Sequence, residues 1–218
     1  AAAPGMAEGT PLEGADVAVG GISSVNNDLR HVTADDYSRT VTLMLIGLVL
    51  ILVVLFRSLV MPLYLVLSLI LTYYMSVAAA EALLVRAIDM TGLGWAVPFF
   101  AFVMLLALGT DYSIFLMDRF REYRDLPAGE AILNAMKNMG SVIVSAAIIL
   151  GGTFAAMLPS GVMSLLHIAT IVLAGLFLYA LIMLPLFIPV MVRLFGSFNW
   201  WPSMRRRARL EADRSLGA

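Results

Sequence analysis

Asp111 is the one acid well inside a long apolar stretch, Trp95–Met117. It lies seven residues before Asp118, which sets it roughly 10 Å deeper along a helix. An ionised carboxylate at the centre of a bilayer costs about 2.5–3.5 kcal/mol on insertion scales. A helix does not need that acid in order to fold, so its presence points to function. Desolvation favours the neutral form of a carboxyl group, and such a group can bind a proton and release it again. The chemistry on offer is therefore reversible protonation inside a membrane, with a purely structural hydrogen bond between helices as the alternative. Tyr112 follows directly, and adjacent helical residues point about 100° apart. Asp111 and Tyr112 must therefore look toward different neighbours. Other polar candidates in apolar surroundings are Thr110 beside them, Ser141, Ser145 and Thr153 in the next stretch, and Tyr179 in the last. Ser141 and Ser145 are four apart and share a helical face.

Absent motifs narrow the chemistry further. No GxxxxGK[ST] run is present, so this segment does not hold a nucleotide through a P-loop. No HExxH or comparable ligand set appears, and the chain contains no cysteine, which excludes disulfides and thiolate metal sites. A hydrolase pair of Ser160 and His167 is conceivable from spacing alone. An interfacial, hydrogen-bonded His167 is the simpler reading. The expectation is a protein that is not an enzyme and needs neither cofactor nor metal.

These residues have to be positioned by membrane-spanning helices. Of 218 residues, 61% are hydrophobic and 13% charged, against roughly 25% charged in an ordinary soluble domain. Five apolar runs are long enough to cross a bilayer, and the spans expected are 39–57, 60–84, 95–117, 138–158 and 162–185. The fold expected is all-α, a five-helix transmembrane bundle occupying 39–196. Pro62 sits near the start of the second run, where a missing N–H does no harm. Pro185 and Pro189 should bend or break the fifth run near its end. Pro159–Gly161 is a minimal turn, so spans four and five form an antiparallel hairpin. Between spans three and four, Pro127 to Lys137 has a helical pattern, predicting a short helix on the inner membrane surface or an ordinary connector. Small residues recurring every four positions, Ala147, Gly151 and Ala155, and also Gly109 and Ser113, mark where helices approach closely.

The flanks differ from the bundle. Residues 1–38 are polar and Gly-rich, with weak alternation over Ala15–Val19 before Gly20–Gly21. They read either as a tail or as the last strand and exit linker of an extracytoplasmic domain lying upstream. Thr33 and Asp36 resemble a capping box that would start the first helix. Residues 197–218 form a basic tail behind the interfacial Trp200 and Trp201. With the N-terminal part outside, the inner segments hold Arg57, Arg119, Arg121, Arg124, Lys137, Arg193 and the arginines of the tail, against Arg30, Arg39 and Arg86 outside. The positive-inside rule thus places the C-terminus in the cytoplasm of a multi-pass cell-membrane protein. The first residue is Ala, and the chain reads as a piece of a longer polypeptide.

Gly109-Thr110-Asp111-Tyr112-Ser113-Ile114-Phe115-Leu116, followed by Arg119-Phe120-Arg121-Glu122, resembles the GTDYxIFL…RxRE signature of MmpL-type (MMPL) transporters of the RND superfamily. Phe56-Arg57-Ser58-Leu59-Val60-Met61-Pro62 is similar to their LRSLVAP turn between helices. Gly20-Gly21 with Asp28 resembles the exit from their extracytoplasmic domain, and Trp200-Trp201-Pro202 the motif after the last helix of a repeat. The resemblance runs from about Gly20 to Pro202. It implies the last five helices of one of two pseudo-repeats, by its ending the C-terminal one. It also implies that Asp111 and Tyr112 are a proton relay formed where the repeats meet; Thr110, Ser141, Ser145 and Tyr179 are the polar candidates for its support. One departure stands out: the charged pair that the family often carries in its last helix is replaced here by Tyr179 and Leu184.

The function so implied is export of lipids, lipid-linked or other hydrophobic molecules, driven by the proton-motive force. The partners expected are membrane lipids, a hydrophobic substrate, the second repeat of the same transporter and further copies in a homo-oligomer. Nucleic acid is not among them. The alternative is a non-exporting RND relative, either a protein-translocation accessory or a sterol- or lipid-sensing module. Translocation accessories carry a different run after the glycine, and Tyr112-Ser113-Ile114 argues against them.

Overall fold

The computed structural model describes residues 22–87, 94 and 96–201, with side chains described outside 22–36 and 197. Among these residues the chain is helical apart from short turns and contains no strand. Five helices are long and apolar enough to cross a membrane: Tyr37–Phe56, Val60–Arg86, Val97–Glu122, Ala128–Ser160 and Met163–Phe195. The expected strand at Ala15–Val19 and the tail beyond Trp201 lie outside the described residues.

Helix α1 runs unbroken over Ile22–Phe56. Thr33 is therefore an interior helical residue and not a cap, contrary to the capping-box reading. Nothing between Ile22 and Phe56 breaks the helix: the segment contains no proline, and its one glycine, Gly47, is tolerated. The chain divides at Ile46–Gly47 into two compact units, the second of which holds the other four spans.

Arg57 turns the chain with φ +51, a left-handed conformation in a residue other than glycine. Two bonds from a remote part of the chain hold that turn. The Ser58 hydroxyl donates to the carbonyl of Asn199 at 2.5 Å, and the Leu59 amide to that of Trp201 at 3.1 Å. The two motifs Phe56–Pro62 and Trp200–Trp201, more than 130 residues apart in sequence, thus meet in space.

Helix α2 (Val60–Glu81) starts with Pro62 in its first turn, where backbone amides lack partners anyway, and loosens into a π-helical turn over Ala82–Ala87. Helix α3 (Val97–Glu122) opens on Pro98 and carries straight through Asp118. Helix α4 spans Ala128–Ala155 after Pro127. The helix expected over Pro127–Lys137 forms from Ala128 on and is continuous with the span. No helix-breaking residue stands between it and Asn138-Met139-Gly140, so it is simply the first turns of α4. A 3₁₀ turn, Leu158–Ser160, and Gly161 at φ +74 reverse the chain. The positive φ is what a glycine supplies cheaply.

Helix α5 (Met163–Leu178) gives way at Tyr179 to a π-helical segment, Tyr179–Phe187, which contains Pro185. Helix α6 (Ile188–Phe195) follows, with Pro189 in its first turn. The two prolines do interrupt the last span, and the interruption begins a full turn before Pro185 as a change of helix type. Proline removes an intrahelical hydrogen bond and crowds the preceding turn, and widening that turn to i→i+5 relieves the crowding.

Helices α2, α3 and α5 pack on one another, and α4 packs against α3 and α5. Glycines set the closeness. A Cβ at Gly175 of α5 would overlap Leu105 Cδ2 of α3 and lie 2.8 Å from Ser76 Oγ of α2. A Cβ at Gly109 of α3 would overlap Leu69 Cδ2 of α2. Ala147 and Gly151 of α4 are buried, Gly151 against Phe177, Leu173 and Leu176 of the last span. The outer faces carry Leu50, Val54, Leu63, Leu67, Ile148, Ile149 and Leu186, all exposed. Soluble monomers rarely show apolar patches that large. With five spanning-length helices, this is the surface of a multi-pass membrane protein.

Candidate functional site

Asp111 stands on the outward stripe of α3. Phe100, Met104, Ala107, Asp111 and Phe115 follow one another three or four residues apart and are all exposed. Among the described residues none forms a hydrogen bond or ion pair with the Asp111 carboxylate. Tyr112, about 100° around the helix, is turned inward and buried. The two residues thus diverge, as the helical step requires. Thr110 is also buried, but its hydroxyl donates to the Leu106 carbonyl at 2.6 Å, one turn back in its own helix. Ser141 and Ser145 share a face of α4 as their spacing implies, and that face is exposed. Thr153 is exposed too and donates to its own backbone at Ile149. Neither serine joins Asp111 or Tyr112 within the described bundle.

Tyr179 behaves differently. It is fully enclosed, and its hydroxyl sits between two serines from two other helices. Ser113 of α3 is in hydrogen-bonding contact with it, and Ser68 of α2 lies at 3.4 Å. Each serine also donates to its own helix: Ser113 Oγ to the Gly109 carbonyl at 2.8 Å and Ser68 Oγ to that of Leu65 at 2.7 Å. A polar column continues along α2, where Thr72 Oγ1 donates to Ser68 O and Ser76 Oγ to Thr72 O. All of these groups are buried. Away from water, unpaired hydroxyls are expensive, and here each finds a partner.

The α2 column has a sequence signal that the reading of chemistry-bearing residues passes over. Tyr64, Ser68, Thr72, Ser76 and Ala80 recur every four residues in an otherwise apolar run. That period places them on one buried stripe, and polar residues on a buried stripe imply neighbours able to bond them. Ser113, which reads in the sequence as a small residue at a helix contact, is also a hydrogen-bonding partner.

Ser160 and His167 do not form a catalytic pair. Ser160 is exposed, and its hydroxyl accepts from the Val162 amide at 3.4 Å. His167 is buried, and its Nδ1 accepts from the Gly94 amide at 3.4 Å. Among the described residues no group of three or more His, Asp and Glu side chains is placed to hold a metal. A pocket of about 210 Å³ opens at the arginine-bearing end of the bundle, lined by Phe120, Arg124, Leu126, Pro127, Gly196 and Trp200 among others. Asp111 does not line it.

Comparison with known proteins gives a consistent result. The profile of the MMPL family matches residues 1–214. YdgH, a membrane protein of Bacillus subtilis, is 50% identical over 202 residues, covering 93% of this chain and 23% of that protein. The apo-petrobactin exporter of Bacillus anthracis is 30% identical over 197 residues, 90% of this chain and 26% of that one. The sulfolipid-1 exporter MmpL8 of Mycobacterium tuberculosis is 30% identical over 209 residues, 95% of this chain and 19% of that one. The chain therefore spans about a quarter of the length of the curated relatives it matches.

Proposed function

The chain belongs to the MMPL family of RND-type transporters, and from that premise we propose that it is the five-helix end of a proton-driven exporter of lipidic or otherwise hydrophobic molecules. The observation that carries this reading is Asp111 alone on the outward stripe of α3, between Met104 and Phe115. A carboxylate facing hydrocarbon is strongly disfavoured. In the intact protein that stripe must be met by protein or by water. A second helical repeat lying against it would desolvate Asp111 and supply the partner that these five helices do not.

Protonation then has a mechanical meaning. A charged Asp111 attracts polar groups of the opposing repeat, and a neutral one does not. Moving one charge across 100 mV supplies about 2.3 kcal/mol, enough to bias two packings of similar energy. Tyr112, buried beside Asp111, would hold α3 in the orientation that presents the acid. Thr110 would stiffen the same turn, and Ser141 and Ser145 would offer hydroxyls from the exposed face of α4 to whatever covers it. Relatives named for exporting sulfolipid-1 and apo-petrobactin support the export direction. Under this reading the N-terminal part faces outward and the arginine-rich end faces the cytoplasm.

The test is Asp111→Asn in the intact transporter, reconstituted in vesicles under an imposed pH gradient. The substitution keeps size and removes the titrating proton. Gradient-driven export should fall to the level of empty vesicles, with the variant folded by its circular dichroism and melting temperature. Undiminished export would take Asp111 out of the mechanism.

A further inference from the structure

The hydroxyl groups around Tyr179 have fewer protons than contacts. Ser68, Ser113 and Tyr179 carry one hydroxyl hydrogen each. They make four contacts: Ser68 to the Leu65 carbonyl, Ser113 to the Gly109 carbonyl, and Tyr179 to each serine. One contact is always without its hydrogen. Tyr179 can give its proton to Ser113 while Ser68 stays on its own backbone. Alternatively it can give the proton to Ser68 and accept from Ser113, which then releases Gly109. In the first arrangement Tyr179 is bonded to α3 alone, through a serine that stays anchored on its own helix; in the second it is bonded to both α2 and α3. These are two of the four ways to place three hydrogens over the four contacts, and they differ in which helix receives the Tyr179 proton.

Its position makes that choice matter. Tyr179 is the first residue of the π-helical segment of the last span, and π segments inside helices occur frequently at functional sites. Ser113 follows Asp111 by two residues, about 200° around α3, so the acid and the serine occupy opposite sides of the same turn. Gly109 and Gly175, one turn from Ser113 and Tyr179 respectively, let Leu69 of α2 and Leu105 of α3 pack where a side chain would otherwise stand. A turn or slide of α3 is then felt directly at the Ser113–Tyr179 contact. The titratable group of α2 that faces Tyr179 is Tyr64. On α3, Asp111 points outward and Tyr112 is turned about 100° from Ser113. The buried face of α4 carries no titratable group.

We propose that Tyr179 is a positioning residue for the proton site: its hydroxyl, seated between Ser113 and Ser68, passes a change at Asp111 to the π-helical segment of the last span. The proposal rests on the reading of Asp111 as the proton carrier. Protonation of Asp111 lets α3 shift relative to its outer partner, and Ser113 shifts with it. The Tyr179 proton then changes allegiance, which makes or breaks the bond between the π segment and α2. By linkage, the hydrogen bond must act back on Asp111: weakening it changes proton affinity at a carboxyl that Tyr179 does not touch.

The experiment uses infrared titration of the intact transporter, with the Asp111 carboxyl band assigned by its loss in Asp111→Asn. Tyr179→Phe and Ser113→Ala each remove one side of the same contact and leave the ring or the helix in place. Both should move the midpoint of the Asp111 band in the same direction by about tenfold in proton affinity, the usual size of coupling between linked sites. The double variant should move it no further than either single one. The pH profile of export should shift along with the band. If Tyr179→Phe does not fold, Ser113→Ala asks the same question with the ring intact. A midpoint unchanged in folded variants, or shifts that simply add, would overturn the proposal while leaving Asp111 as proton carrier. If Asp111→Asn instead exports normally, both readings fall together.

Discussion

Gly175 leaves no room for a methyl group. The Cβ of an alanine there would overlap one terminal methyl of Leu105 and press the other and the Ser76 hydroxyl, at 2.7 and 2.8 Å. Leu105 cannot relieve the overlap by exchanging one methyl for the other, and Ser76 is bonded to Thr72. Gly175→Ala should therefore destabilise the bundle by about 1–3 kcal/mol, the range for overpacking a tight core. Gly152→Ala is the control: nothing lies within 4 Å of its Cβ, and the change should stay within about 0.5 kcal/mol. Thermal unfolding of the two variants in one detergent measures the difference, and equal melting temperatures would show that α5 is not seated as described. The glycine's role cannot be seen from its own position in the sequence. It depends on which side chains of α2 and α3 arrive opposite it.

At the scale of elements, the hairpin between α4 and α5 and the break in the last span follow from local chemistry. Pro159 and Gly161 cannot extend a helix together, and Pro185 and Pro189 each remove a regular intrahelical bond from the last span. Gly161 has φ +74 and open space where a side chain would point. Gly161→Ala should then cost about 1–2 kcal/mol through the backbone alone, read again as a lowered melting temperature. No loss would mean that the turn can adopt a conformation suited to any residue. Hydropathy does not reveal how α3 and α4 extend beyond the apolar runs, to Glu122 and back to Ala128. It marks where hydrocarbon is tolerated, whereas a helix ends only where its backbone bonds stop. Lys137 is a good helix former, and Asp118 is tolerated within a helix, on the water side of that limit.

For the whole molecule, the decisive feature is the uncovered stripe of α3. Ala107 is exposed there, one turn from Asp111, and this chain contains no cysteine of its own. If a second repeat covers this stripe, as proposed, Ala107→Cys paired with cysteines introduced along the corresponding helix of that repeat should form a cross-link with a short bifunctional reagent. Efficient labelling by a lipid-soluble reagent, with no cross-link at any position, would show that the stripe faces lipid. Asp111 would then have no opposing repeat to attract or release.

Composition, run length and the type of each residue were enough to determine a helical membrane bundle of five spans, the tight turn between α4 and α5, and the place of a lone acid within the third span. These are properties of short stretches, since solvent and backbone decide them within a few turns of helix. Tertiary structure alone decided which polar residues share a neighbour. It left Ser141 and Ser145 facing outward, brought Ser68 and Ser113 to the Tyr179 hydroxyl, and joined the turn after α1 to Asn199 and Trp201. Those pairings depend on how each helix is rotated about its axis and how closely the glycines let helices approach, and no single helix carries that information.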